Sequence, residues 1–144
     1  MKSRTIAIVV PYTKNKKILL QSRKSISKWG EEWSFWGGGQ EPNESIDEAA
    51  RREIKEELHL DVKELKYLGK LSKVQKRIKP PFDEVELTYE IFMTKVNDDL
   101  SQFTVDEGDG MDFFYINDAR DLTMAPEIDS MTLDKIEEFF SKQQ

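Results

Sequence analysis

The chain has 144 residues, of which 38% are hydrophobic and 10% aromatic, a length and composition that suit one packed domain spanning residues 1–144. It has no cysteine, which excludes disulfides, thiolate zinc sites and cysteine nucleophiles. Its net charge of −6 argues against a general nucleic-acid binder, and no apolar run has the length of a membrane span or a signal peptide, so we expect a cytoplasmic protein without nucleic-acid or membrane partners.

Two short apolar runs at the start of the chain predict its first two strands. Residues 5–10 are rich in β-branched side chains and stop at Pro11, as expected of a buried strand. After a polar turn, residues 18–23 form a second apolar run that ends at Arg23. We expect these two strands to pair as a hairpin.

A glycine run follows a short strand predicted at residues 33–36, and it consists of Gly37, Gly38 and Gly39. Glycine has no Cβ atom, so its backbone can turn sharply and pass close to another backbone or to a phosphate. We therefore predict a glycine-rich loop that contacts the phosphates of a substrate.

Three tryptophans lie just before the glycine run: Trp29, Trp33 and Trp36. Aromatic rings in such a position can stack on a nucleobase, although core packing is the more common use of tryptophan. Trp29 lies in a predicted loop and is the strongest candidate of the three for a stacking role.

The segment after the glycines predicts a helix with an acidic face. Ser45, with Glu48 three residues later, forms a capping-box sequence for a helix from Ile46 to about Leu58. At about 100° per residue, one helix face beside the apolar side carries Glu53, Glu56 and Glu57. Like charges so spaced destabilise an isolated helix by about 0.2–0.5 kcal/mol a pair, so the face is either solvated or binds a hard divalent cation. Its place at the edge of the apolar side favours the cation.

These residues resemble the signature of the Nudix hydrolases, G-x5-E-x7-R-E-U-x-E-E-x-G-U, where U is a bulky aliphatic residue. The stretch from Gly38 to Leu60 matches it through Gly38, Glu44, Arg52, Glu53, Ile54, Glu56, Glu57 and Leu60. His59 stands where the family has its second glycine, and we predict that it ends the helix in a left-handed conformation.

The resemblance implies an α+β fold, in which the carboxylate-bearing helix and a C-terminal helix pack on a mixed central sheet as an α/β/α sandwich. It also implies metal-dependent hydrolysis of a diphosphate linkage in a nucleoside diphosphate derivative, with Mg²⁺ or Mn²⁺ as cofactor. The expected metal ligands are Glu53, Glu56 and Glu57. Glu53 or Glu56 is the expected general base, and Arg52 is expected to orient a glutamate through a charge-assisted hydrogen bond.

Three residues outside the helix are further candidates for the site. Arg23 ends its strand where the family often has a basic residue near the substrate phosphates, although a solvated arginine is equally plausible. Glu44, just before the N-cap, either assists the metal site or only favours the helix dipole. Glu107 lies in an acidic loop at residues 97–110, and family members often carry a glutamate in such a late loop that reaches the metal.

The rest of the chain predicts three strands and a closing helix. Residues 62–71 suggest a strand, and the overlapping basic run at residues 70–79 is either a substrate-side loop or a solvated strand and turn. Residues 84–96 form the clearest strand, with alternating apolar and mostly acidic positions, and residues 111–116 form a short apolar strand. Pro126 precedes an amphipathic helix expected to pack on the sheet.

The signature leaves the substrate open. A nucleoside triphosphate, normal or with an oxidised or damaged base, suits a compact chain with aromatic residues before the glycines, and a nucleotide sugar or a dinucleotide polyphosphate is comparably plausible. A non-catalytic nucleotide-sensing domain is a further alternative, against which the intact glutamates argue. An isomerase of prenyl diphosphates is excluded because its family relies on a cysteine. We expect a monomer or a homodimer.

Overall fold

A computed structural model describes residues 2–27, 30–76, 79–81, 83–105, 110–125 and 127–143. The strands in these ranges are β1 (Lys2–Tyr12), β2 (Lys17–Ser22), β3 (Trp33–Ser34), β4 (Trp36–Gly39), β5 (Lys66–Lys76), β6 (Glu84–Lys95) and β7 (Met111–Tyr115). The α-helices are α1 (Ile46–Leu58), α2 (Ile116–Ala119) and α3 (Ile128–Ser141), and a 3-10 turn lies at Leu100–Gln102. Within the described ranges, no helix combines the length and the apolar composition needed to cross a membrane.

The strands form one mixed sheet in the order β3-β2-β1-β6-β5, with β4 also paired to β1 and β7 to β2. β1 runs parallel to β6 along its whole length and antiparallel to β4 and β2. The two predicted N-terminal strands are therefore present and antiparallel. Because β1 has neighbours on both edges, it is the central strand, and its second half is buried.

Helices cover both faces of the sheet, which confirms the expected α/β/α sandwich. Alternate residues of β1 point to opposite faces, so Ala7 and Val9 pack towards α1 while Ile8 and Val10 pack towards α3. The cluster on the α1 side consists of Ala7, Val9, Leu19, Trp36, Ala49, Ala50, Ile54, Leu58, Phe92 and Phe103. The cluster on the other side includes Ile18, Leu20, Ile91, Met93, Leu133, Ile136 and Phe140.

The glycine run lies in a strand, so the prediction of a loop was wrong. β4 contains all three glycines and pairs antiparallel with residues 6–9 of β1. Gly37 has a φ of 151°, and a Cβ atom there would overlap the carbonyl oxygen of Ala7. The close backbone approach expected of these glycines is confirmed, but the neighbour is a sheet partner.

Of the tryptophans near the glycines, Trp33 lies in β3 and is partly buried, and Trp36 begins β4 and is buried in the core. The short strand predicted at residues 33–36 is interrupted at Phe35, so that β3 pairs with β2 and β4 pairs with β1. Trp36 is fully buried, and its Nε1 donates a 3.0 Å hydrogen bond to the carbonyl of Leu19, which excludes it from stacking on a ligand. Trp29 lies outside the described residues.

β5 begins later and extends further than predicted. Val62 and Leu65, which suggested a strand, pack against the α1 side of the core from irregular backbone before the strand starts at Lys66. β5 continues to Lys76, so most of the basic run lies in a strand at the edge of the sheet. Lysines suit such an edge because their charge discourages pairing with another chain.

Candidate active site

Helix α1 is fixed at both ends by the interactions that the sequence predicted. The hydroxyl of Ser45 accepts a 3.1 Å hydrogen bond from the backbone of Glu48, whose carboxylate accepts one of 3.0 Å from the backbone of Ser45. His59 adopts the left-handed conformation, with φ 56° and ψ 32°, and its N–H donates to the carbonyl of Lys55. The predicted capping box and helix end are confirmed, and the apolar stripe of α1 packs against β1 while its acidic face lies against β4.

The three helix glutamates and Arg23 line one cavity of about 340 Å³. Its lining residues are Gln21, Arg23, Phe35, Gly37, Glu53, Glu56 and Glu57. Nη1 of Arg23 donates a 3.3 Å hydrogen bond to the side chain of Gln21, and its Nε lies 3.7 Å from a carboxylate oxygen of Glu31. The cavity, which we call the carboxylate cavity, therefore combines oxygen ligands for a cation with a guanidinium that can bind a phosphate.

Strand β4 packs directly on these carboxylates. The backbone N–H of Gly37 donates a 3.0 Å hydrogen bond to Glu57. A Cβ atom on Gly38 would lie only 2.5 and 2.6 Å from the two carboxylate oxygens of Glu53. Glycine at this position therefore lets a helix carboxylate lie flat against a strand.

Arg52 ties the helix to β4 and to the segment before the helix. Its Nε and Nη2 donate to the two oxygens of Glu44, at 2.7 and 3.0 Å, and Nη2 also donates to the carbonyl of Gly39 at 3.0 Å. Its Nη1 donates to Glu53 at 2.7 Å and lies 3.5 Å from Glu56.

These contacts shift the pKa values of Glu44 and Arg52. The hydrogen bond from Arg52 is the main cause that lowers the pKa of Glu44 to about 2, with the backbone N–H of Glu41 contributing. The bond to Glu44 likewise raises the pKa of Arg52 above its ordinary value, against the opposing effect of burial. Both groups therefore stay charged over the whole physiological range.

A family model of the NUDIX domain matches residues 1–134 of the chain. The chain belongs to the Nudix hydrolase family. This family acts on nucleoside diphosphate derivatives and generally uses divalent metal ions. No curated protein sequence matches the chain.

Solved structures share this Nudix fold. The MutT protein from Methanosarcina mazei has a TM-score of 0.71 and 18% identity, covering 99% of this chain and 97% of that one. The Ap4A hydrolase of C. elegans has a TM-score of 0.69 and 18% identity, covering 99% and 100%. The NUDIX domain of Shewanella oneidensis NrtR, complexed with ADP-ribose, has a TM-score of 0.68 and 12% identity, covering 97% and 88%. At such identities the likeness concerns the fold.

The chemistry of the Nudix carboxylates fits a hard divalent cation. Glu53, Glu56 and Glu57 offer only oxygen ligands, as Mg²⁺ and Mn²⁺ prefer. In the part of the chain that the structure describes, no three acidic or histidine side chains are already gathered around one point. Glu53 is held by Arg52 and Glu57 by a backbone N–H, whereas Glu56 is 59% exposed, so convergence on a cation requires side-chain rotation.

The structure places most of the remaining predicted residues. Arg23 lines the carboxylate cavity, and its predicted contact with substrate phosphates stays a prediction. Glu44 lies outside the lining of that cavity, with both oxygens bound to Arg52. This role for Glu44 was not among the alternatives of metal ligand and helix-dipole partner. Glu107 lies outside the described residues, as does Trp29.

Gln21 and Phe35 line the carboxylate cavity and were missed by the sequence interpretation. Gln21 lies in β2 two positions before Arg23, which the sequence predicts as the last residue of that strand, so strand alternation predicts both side chains on one face, and the two are hydrogen-bonded. That periodicity could have identified it. Phe35 stands at the break between β3 and β4, and the continuous strand predicted there gave no sign of its position.

Proposed function

We propose that this Nudix protein hydrolyses a nucleoside triphosphate, normal or with an oxidised or damaged base, to the monophosphate and pyrophosphate. The observation that supports the proposal is the carboxylate cavity, where three glutamates of α1 lie with Arg23 beside the N–H of Gly37. A cation and a polyphosphate can be bound there together. The proposed cofactor is Mg²⁺, with Mn²⁺ as an alternative.

Glu53, Glu56 and Glu57 would hold the metal, which supplies charge neutralisation for the phosphates and activation of the attacking water. Arg23 binds phosphate oxygens through its guanidinium. The water oxygen bonds to phosphorus as the bond from that phosphorus to the bridging oxygen breaks, and pyrophosphate leaves with the electron pair. A glutamate of the cavity takes the proton that the water loses.

We assign the role of general base to Glu56 in preference to Glu53. One oxygen of Glu53 accepts a 2.7 Å hydrogen bond from Arg52, and its side chain is 15% exposed. Glu56 is 59% exposed and lies 3.5 Å from Arg52. Glu56 therefore has more freedom to reach a water molecule and to pass its proton to solvent.

We further propose that residues 1–144 form one domain, which works in the cytoplasm as a monomer or a homodimer, on a small-molecule substrate and without nucleic-acid or membrane partners. Dinucleotide polyphosphates and nucleotide sugars are the alternative substrates, and non-catalytic nucleotide sensing is the alternative function.

A substrate panel with Mg²⁺ or Mn²⁺ tests the proposal. Nucleoside triphosphates, dinucleotide polyphosphates and nucleotide sugars are incubated with the protein, and the products are separated by ion-exchange chromatography. We expect pyrophosphate and a monophosphate from at least one triphosphate. Cleavage of another class alone would replace the substrate assignment, and metal-dependent nucleotide binding without cleavage would support a sensing domain.

A further inference from the structure

A second cavity of about 420 Å³ adjoins the carboxylate cavity. We call it the side cavity. The two share Phe35 and Gly37 as lining residues, and the other walls of the side cavity include Ile6, Ile8, Tyr89 and Ile128. A ligand whose phosphates lie in the carboxylate cavity can therefore continue past Gly37 into a space with apolar and aromatic walls. Such walls suit the faces of a planar ring.

Two carboxylates and one ammonium group also line the side cavity: Asp129, Glu31 and Lys73. Asp129, in the first turn of α3, is 8% exposed, and its Oδ2 accepts a 2.9 Å hydrogen bond from the backbone of Ala125. Oε2 of Glu31 is buried and has no hydrogen-bond partner in the described part of the chain.

These charges lie close enough to influence one another. Burial raises the pKa of Asp129 to about 6, which the Ala125 N–H and the charge of Lys73 oppose and the charge of Glu31 reinforces. A buried carboxylate oxygen without a donor costs free energy, because the protein replaces none of the hydrogen bonds that water would make. The side cavity therefore favours a ligand that brings N–H donors.

The three charged groups of the side cavity match one base edge better than the others. Lys73 offers donors, and Asp129 and Glu31 offer acceptors. The complement is an edge with one acceptor beside two N–H-bearing nitrogens, as in guanine with its O6, N1–H and amino group. Uracil and thymine have one N–H between two carbonyls, and cytosine and adenine each bring a single amino donor beside acceptors.

We propose that the side cavity binds the base of the substrate and selects a guanine-type edge, with Asp129 as the residue that determines specificity. The proposal rests on the proposed function, because it takes the adjoining cavity as the phosphate site. It also assigns a role to Lys73, a lysine of the basic run that lines this cavity.

The test uses Asp129→Asn with Asp134→Asn as the matched control. The amide of the first variant can still accept from Ala125, but it then presents a donor where the carboxylate presented an acceptor. Asp134 lies on the same helix, is 66% exposed and pairs with Arg120 at 2.9 Å, so its replacement leaves the side cavity unchanged. Both are compared with the unmodified protein by kcat/KM for GTP, ATP, CTP and UTP.

We expect the unmodified protein and Asp134→Asn to have their highest kcat/KM with GTP. In Asp129→Asn, the ratio of kcat/KM for GTP to kcat/KM for the other triphosphates should fall about 10- to 100-fold, which corresponds to the loss of one good base contact. A preference for another base, or an equal loss for all four substrates in Asp129→Asn, would overturn the assignment while leaving hydrolysis established.

A binding measurement distinguishes failure of this proposal from failure of the proposed function. The dissociation constants of the α,β-methylene analogues of the four triphosphates, which resist cleavage at that linkage, are measured by calorimetry. If no triphosphate is hydrolysed, the function fails, yet selective binding of the guanosine analogue that Asp129→Asn abolishes still supports the side cavity as a guanine site. Equal binding of all four analogues, or none, would contradict it.

Discussion

Arg52 and Glu44 form a bidentate ion pair, in which Nε and Nη2 of Arg52 donate to the two carboxylate oxygens of Glu44 at 2.7 and 3.0 Å. The same guanidinium reaches Glu53 at 2.7 Å and the carbonyl of Gly39 at 3.0 Å. One side chain thus joins the segment before α1, the helix itself and strand β4. We interpret Arg52 as a residue that positions Glu53, with Glu44 holding it in place.

Arg52→Lys is expected to lower kcat by about 10- to 100-fold with little change in KM, the usual effect of losing a group that orients a metal ligand. A lysine ammonium cannot span both oxygens of Glu44 while also reaching Glu53. Steady-state kinetics on the preferred triphosphate measure the effect. Arg51→Lys is the control, because Arg51 pairs with Asp47 and the carbonyl of Val62. Unchanged kcat in Arg52→Lys would contradict the positioning role.

Glu44→Gln is expected to make the acid unfolding of the protein less steep. The pKa of Glu44 is about 2 in the folded protein, against an ordinary value of 4.5. Because the folded value is lower, the ion pair stabilises the protein above about pH 4.5, and this contribution is lost as the pH falls towards 2. Melting temperatures across that range measure it. Parallel curves for variant and unmodified protein would show that Glu44 contributes nothing.

Asp129→Asn is expected to stabilise the protein near neutral pH. The folded protein raises the pKa of Asp129 from 3.8 to about 6, so it binds the proton more tightly than the unfolded chain does, and the stability contribution is lost as the pH rises through 6. Removing the charge should raise the free energy of unfolding near neutral pH by about 1–3 kcal/mol. Denaturant unfolding at acidic and neutral pH measures it. A variant that is less stable at neutral pH would mean that the carboxylate is well paired.

Gly38→Ala is expected to impair the metal site without unfolding the protein. The new Cβ atom would meet the carboxylate of Glu53, and this flexible side chain must move because the β4 backbone is fixed by β1. We expect about a 100-fold loss of kcat, the effect of displacing a catalytic group by about 1 Å. Gly39→Ala is the comparison, since its Cβ atom would meet the guanidinium of Arg4 instead.

Thermal melting in the presence and absence of Mn²⁺ checks the same substitution by another route. Metal binding to the folded state raises the melting temperature, so Gly38→Ala should lose that rise and Gly39→Ala should keep it. A full rise in Gly38→Ala would mean that Glu53 does not hold the metal.

The parts of this protein that sequence predicts well are those specified by neighbours along the chain. The capping box at Ser45 and the left-handed His59 follow from local rules, so the limits of α1 agree with the structure to the residue. The glycine run was predicted as a loop because its partner strand, β1, lies about thirty residues away.

The side cavity has no local signal at all. Glu31, Lys73 and Asp129 come from the loop before β3, the edge strand β5 and the first turn of α3. In the sequence, each of these three charged residues is equally consistent with an exposed, solvated side chain. Only the packing of α3 on the sheet gathers them, and the long-range pairings that cause this packing cannot be read from one sequence.

The decisive measurement is metal-dependent release of pyrophosphate from the preferred triphosphate by the unmodified protein and by Glu56→Gln. Glu48→Gln on the same helix is the matched control, because glutamine can replace glutamate in a capping box. We expect full activity in the control, a loss of about 100- to 10,000-fold in Glu56→Gln, and equal melting temperatures for the two variants. Undiminished release by Glu56→Gln, or no release by the unmodified protein with either Mg²⁺ or Mn²⁺, would contradict hydrolysis at these carboxylates.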